Sequence, residues 1–150
     1  MWFKRVFIFL SVIVSILVIF FFIFSDSYRY SLEAKVKYTM GDYQKAIELA
    51  SRAFELDPYN KMAFSILAQS KISIKILDYI NDAKEYLKKI DYLSKKKNFT
   101  EADKIKIKMM TEVMIGRFKK LAPTVMTDKK LYLESKKLYQ EFVKIHENLD

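Results

Sequence analysis

Residues 6–24, VFIFLSVIVSILVIFFFIF, form an apolar run whose only polar side chains are Ser11 and Ser15. A helix of this length, at ~1.5 Å per residue, spans roughly 28 Å, close to the hydrocarbon thickness of a bilayer. A helix packed on a water-soluble core keeps a polar face, and this run has none. A cleaved signal peptide has a shorter apolar stretch followed by a small-x-small cleavage site. Here FIFSDS puts Ile23 and Ser25 at the critical spacing, a poor match. No cysteine is available for lipid attachment. The run therefore reads as an uncleaved transmembrane signal anchor over residues 6–25, behind a tail of residues 1–5.

Orientation follows from the flanks. Lys4 and Arg5 precede the run, and Arg29, Lys35 and Lys37 follow it closely. The later cations belong to a long domain, and long domains cross membranes largely regardless of charge. The short basic tail is thus expected in the cytoplasm and residues 26–150 outside it. In a bacterium this is a single-pass inner-membrane protein with its domain in the periplasm.

Beyond the run, breakers are scarce. The chain is 51% apolar yet holds two Gly and two Pro, so long helices are favoured and the fold class is all-α. The absence of Cys excludes disulfides, thiolate metal sites and thiol catalysis. Apart from Lys4 and Arg5, 25 basic residues face 18 acidic ones, an excess of +7 on residues 26–150. Such an excess attracts nucleic acid, anionic lipid or acidic protein. A membrane anchor makes nucleic acid the least expected of the three, and the lysines are spread around every helix rather than gathered on one face.

Residues 27–60 carry a pattern of small and aromatic positions: Tyr30, Ala34 and Tyr38, then Gly41-Asp42-Tyr43, then Ala46, Ala53, Phe54 and Leu56, and finally Pro58. Gly41 can adopt the left-handed conformation that ends a helix. Ala46 and Ala53 let two helix backbones approach closely. Pro58 stops the second helix, and Asn60 can cap the next. This stretch resembles one tetratricopeptide (TPR) repeat of about 34 residues, two antiparallel helices A and B joined by a tight turn. Glu33 and Lys37 depart from the pattern, standing where an aliphatic and an aromatic residue are usual, which implies a shallowly packed first helix.

A more worn second copy follows. Tyr30 maps onto Phe64 and Ala34 onto Ala68 at the same offset. Three further residues are needed to bring Ala46 onto Ala83, Ala53 onto Ile90 and Leu56 onto Leu93. The second repeat is therefore expected to have a longer inter-helix turn, around KILDYIND at residues 75–82. The resemblance extends over residues 27–94, within a repeat region of 26–94.

KKKNFT, residues 95–100, reads as a linker. Thr100 followed by Asp103 predicts a capping box opening a helix over 101–121. Ala102, Ile105, Met109 and Val113 line one side of that helix, and Ile107, Met110, Met114 and Phe118 a neighbouring one. So wide an apolar stripe is either core or a methionine-rich docking surface. Pro123 breaks the helix, and Thr127 or Asp128 caps another whose Leu131, Ser135, Leu138, Phe142 and Ile145 recur at helical spacing. Residues 101–150 would then form a closing pair, giving an α-solenoid of about two to three helix pairs.

No chemistry stands out. His146 is the only histidine and has no ligating company, so a solvated role is expected. The carboxylates lie among lysines at ion-pair spacing rather than as a dyad. With Gly41 and Gly116 the only glycines, no phosphate-cradling loop can form. No catalytic residue, metal site or cofactor is expected. Some TPR domains grip a partner's acidic C-terminus through basic and Asn residues on their A helices. Here those places offer Ser31, Lys35, Met62 and Ile66, so the resemblance does not extend to that clamp. It does imply protein binding, with Tyr30, Lys37, Phe64, Lys71, Met110 and Met114 as candidate contacts and other membrane-complex subunits or a second copy as partners. A membrane-tethered scaffold or assembly adaptor, of the kind serving translocons, secretion systems or flagellar motors, is the leading expectation. Binding to anionic lipid or nucleic acid through the basic helices is the alternative.

Overall fold

Every regular element among the described residues is a helix, as the scarcity of breakers predicts. The computed structural model describes residues 2–149, without the side chains of residues 2 and 21–24. The helices are α1 (Trp2–Phe24), α2 (Asp26–Thr39), α3 (Tyr43–Leu56), α4 (Lys61–Ser94), α5 (Glu101–Lys119) and α6 (Lys129–Glu147). The chain divides into two units, residues 1–70 and 71–150, and the division falls inside α4.

In the first unit, α1 is long and apolar enough to cross a membrane. None of its 18-residue window Phe3–Phe20 is covered by the rest of the chain. The Ser15 hydroxyl donates to the Ser11 carbonyl at 2.9 Å, so its polar group is satisfied within the helix. An extended Ser25 separates α1 from α2.

Helix α2 ends where Gly41 takes φ 82°, the left-handed region in which a side chain would be strained. The Gly41 amide donates to the Tyr38 carbonyl and the Asp42 amide to the Lys37 carbonyl, both at 3.0 Å. These two bonds satisfy the last carbonyls of α2 in a Schellman arrangement. Asp42 then caps α3, its Oδ1 accepting from the Lys45 amide at 3.2 Å. The turn folds α3 back along α2, and their contact is built from side chains that occupy almost no space. Ala34, Ala46, Ala50 and Ala53 are fully buried, with Leu49, Ile66, Tyr30 and Tyr38 around them.

The second unit contains the rest of α4 with α5 and α6. Ile76, Tyr79, Ile80, Ala83, Ile90, Ile107, Met114, Leu138 and Phe142 make its core. Ion pairs tie α4 to both partners: Asp82 to Arg117 and Lys84 to Glu134, each at 2.6 Å. Residues 95–100 connect α4 to α5. Thr100 and Asp103 form the capping box, with the Asp103 amide donating to Thr100 Oγ1 and the Thr100 amide to Asp103 Oδ2. Of the two candidate caps for α6, Asp128 serves, accepting from the Lys130 and Leu131 amides. Thr127 instead accepts from the Thr124 amide, closing the loop before it.

One expectation fails. The turn expected around residues 75–82 is absent, and α4 runs unbroken for 34 residues. Nothing in KILDYIND stops a helix: it has no Gly or Pro, and Asp78, Asn81 and Asp82 cost only a few tenths of a kcal/mol each in a helix interior. Ile76, Tyr79, Ile80 and Ala83 fall on one face there and are buried together. The burial of that face in the second unit keeps the segment helical, and the offset linking Ala46 to Ala83 marks no second hairpin.

Candidate protein-interaction surfaces

The start of α2, the end of α3 and the start of α4 are pinned by a buried polar cluster centred on Asn60. Its Oδ1 accepts from the Met62 and Ala63 amides at 3.1 Å, capping α4. Its Nδ2 donates to Ser27 Oγ and Ser31 Oγ, both at 2.8 Å. The Ser27 hydroxyl donates onward to the Ala53 carbonyl at 2.8 Å, and the Ser31 hydroxyl to the Ser27 carbonyl at 2.9 Å. Asn60 and Ser31 are fully buried. Each of these polar groups has a partner, which makes the cluster a rigid junction rather than a cost. The cap at Asn60 follows from the sequence, but the part played by Ser27 and Ser31 does not. Their signal was present: Ser27 and Ser31 fall on the face of α2 that also carries Ala34 and Tyr38.

Around this junction lie the candidate contacts of the first unit. The Tyr30 ring is half-buried, with the Arg52 guanidinium 4.7 Å and that of Arg29 5.6 Å from its centroid. It is thereby held in place by cation–π attraction. Lys37 is half-buried, while Glu33 is exposed. Phe64 is 60% exposed, its inner edge meeting Phe54 with centroids 6.1 Å apart. On the face of α2 opposite its buried positions, Leu32, Val36 and Met40 recur every four residues and are all exposed.

In the second unit the two apolar rows of α5 separate. Ile107 and Met114 belong to the core with Met110 and Phe118 packed against it, whereas Ile105, Met109 and Val113 stay exposed. Met114 was expected as a contact and has no exposed surface; Leu138 and Phe142 share its core. The methionine that α5 presents to solvent is Met109. Met110 remains accessible in a groove of about 370 Å³ with Tyr92, Leu93, Lys88, Lys89, Lys106 and Glu85. Lys71 is exposed at the beginning of this unit.

A second groove of about 360 Å³ is lined by Lys75, Asp78, Tyr79, Arg117, Lys120 and Leu121. The Tyr79 hydroxyl is buried without a hydrogen-bond partner, and burial pushes its pKa up to about 12 against the opposing pull of Arg117. Of the groove's cations, Lys75 comes from α4, whereas Arg117 in the last turn of α5 and Lys120 at its C-cap offset the negative end of that helix. Asp103 is shifted the other way. Hydrogen bonds from Lys96 and Thr100 hold its carboxyl down at about 2. His146 is not simply solvated: it is half-buried, with Nδ1 2.9 Å from Thr111 Oγ1. The Thr111 proton goes to the Lys108 carbonyl, so the ring supplies the proton between them. Among the described residues no group of three acidic or histidine side chains could hold a metal ion.

No family model, curated protein or solved structure matches this chain. Its function is therefore read from its own surfaces.

Proposed function

We propose that this protein is a membrane-tethered protein-interaction module, with α1 as the anchor and a TPR-like α2–α3 hairpin as the rigid start of its helical domain. The observation that carries the reading is the combination of a wholly uncovered apolar α1 with exposed apolar rows on α2 and α5. Rows such as Leu32–Val36–Met40 and Ile105–Met109–Val113 cost solvation in water and are the surfaces that partner helices cover. The anchor confines them to one plane and raises their effective concentration for partners in the same membrane.

Topology follows the basic N-terminal tail. Residues 1–5 lie in the cytoplasm and residues 26–150 on the far side, which in a bacterium is the periplasm. The partners are other proteins, subunits of a membrane complex such as a translocon, a secretion system or a flagellar motor. Tyr30, Lys37 and Phe64 are the contacts of the first unit. In the second, Met110 in its groove is one contact and Lys71, about 21 Å or more away along α4, a separate one.

Photo-reactive residues at Phe64 and Met110, introduced singly into the full-length chain in intact membranes, test this reading. Discrete protein adducts at either position are expected, and none from a control on the polar face of α6 at Lys136. Equal, diffuse labelling at all three positions would contradict it.

A further inference from the structure

The exposed row of α5 is symmetric about its middle. Counting from Met109, alanine and glycine stand seven residues away on either side, as Ala102 and Gly116. Four residues away stand Ile105 and Val113, both β-branched. Ala102 is exposed and Gly116 half-exposed, while Ile105, Met109 and Val113 are 58%, 60% and 48% exposed. The order small, β-branched, Met, β-branched, small reads the same in both directions.

We infer that this row is a self-association face on which two copies of the chain pair their α5 helices antiparallel about a two-fold axis at Met109. A two-fold interface brings each residue opposite its mirror position, so the pattern on one copy must match its own reverse. Ala102 then meets the partner's Gly116, letting the backbones close at both ends, and Ile105 meets the partner's Val113.

The charges beside the row agree. On the flank away from α4, Glu101 and Lys108 precede Met109, and Glu112 and Lys119 follow it. A two-fold keeps each flank on its own side, so Glu101 comes near the partner's Lys119 and Lys108 near the partner's Glu112. Opposite charges meet at both ends of the flank, while near the axis Lys108 lies as close to the partner's Lys108 as to the partner's Glu112. A parallel pair would turn this flank toward the partner's opposite one, setting Lys119 near the partner's Arg117 and Lys108 near the partner's Lys106, and would gain none of this.

The size of the face says where the pairing operates. Three half-exposed apolar side chains offer on the order of 300 Å² per copy, and two copies together stay below the ~1,000 Å² of a stable soluble interface. The pair therefore forms where the chain is concentrated, in the plane of a membrane. For that concentration the inference rests on the tethered reading given above.

The absence of native cysteine makes the test direct. Full-length chains in membranes carry Met109→Cys, Ile105→Cys or Val113→Cys and are mildly oxidised. Helices packed ~8–10 Å apart put the two Cα atoms at position 109 within disulfide reach. The two Cα atoms at position 105 lie about 12 Å apart along the axis, beyond the ~7 Å limit. Met109→Cys should thus give a disulfide-linked dimer, Ile105→Cys and Val113→Cys alone should not, and the last two expressed together should. A Met109→Lys chain should lose amine-reactive crosslinked dimer while keeping its helical signal and melting temperature. A monomeric Met109→Cys chain overturns the inference. So does an Ile105→Cys chain that links to itself as readily, which marks parallel packing or random collision. Linkage that follows the expected pattern in a chain released from membranes by alkaline carbonate would keep the face and remove the anchor instead.

Discussion

The two units of this chain solve the same problem with opposite materials. The first joins α2 to α3 through fully buried alanines and seals the ends with a polar junction at Asn60. The second fills its interior with Ile76, Tyr79, Ile80, Ile107, Met114 and Phe142. Alanine contacts hold backbones close and leave no volume to lose, so they fail when something is added. Large side chains fail when something is removed, since the space left behind collapses only in part.

This contrast is sharpest at Phe142, which is fully buried. Phe142→Ala should cost about 3–5 kcal/mol, read as a fall in the unfolding midpoint. Amide exchange should place the loss in residues 71–150. Equal loss across residues 26–70 would show that the units melt as one and weaken the comparison.

In the first unit the damaging change is the opposite one. Ala53→Leu or Ala46→Leu should overpack the α2–α3 contact and cost about 1–3 kcal/mol. An unchanged midpoint for both would break the account of that contact. Asn60→Ala removes a buried cap and leaves two serine hydroxyls without their donor. A loss of about 1–3 kcal/mol is expected, with faster amide exchange at the start of α4.

The smallest expected effect belongs to Asp103. Its folded carboxyl titrates near 2 against an ordinary value of 3.8. A lowered folded pKa gives stability that is present above pH ~4 and is lost as the pH falls toward ~2. Asp103→Asn should therefore lower the melting temperature by a nearly constant small amount above pH ~4 and flatten the acid limb between ~4 and ~2, so that the two profiles converge at low pH. A parallel-shifted profile would assign the role of Asp103 to its cap geometry rather than its charge.

The same contrast explains what could be read from the sequence. The first hairpin was legible because its determinants are local: Gly41 for the left-handed turn, Asp42 and Asn60 for caps, and alanines at helical spacing. The capping box at Thr100 and the loop at Pro123 were legible for the same reason. The continuity of α4 was not, since a repeat offset pointed to a turn and only the burial of Ile76, Tyr79 and Ile80 decides against one. The candidate surface divided likewise. Periodicity found both apolar rows of α5 but not which row meets solvent, because that depends on where α4 and α6 lie. Hence Met114 belongs to the core and Met109 to the surface. The serines of the Asn60 cluster escaped because their partners are 26 to 33 residues away in the chain.

The central claim is that α1 is a membrane anchor and everything after Ser25 is its tethered cargo. Alkaline carbonate treatment of membranes holding the full-length chain tests this most directly, with a protease site placed at Ser25 for a second step. The intact chain should remain wholly in the membrane pellet, and cleavage should then release residues 26–150 as a folded soluble domain. Release of the uncut chain by carbonate would contradict the account.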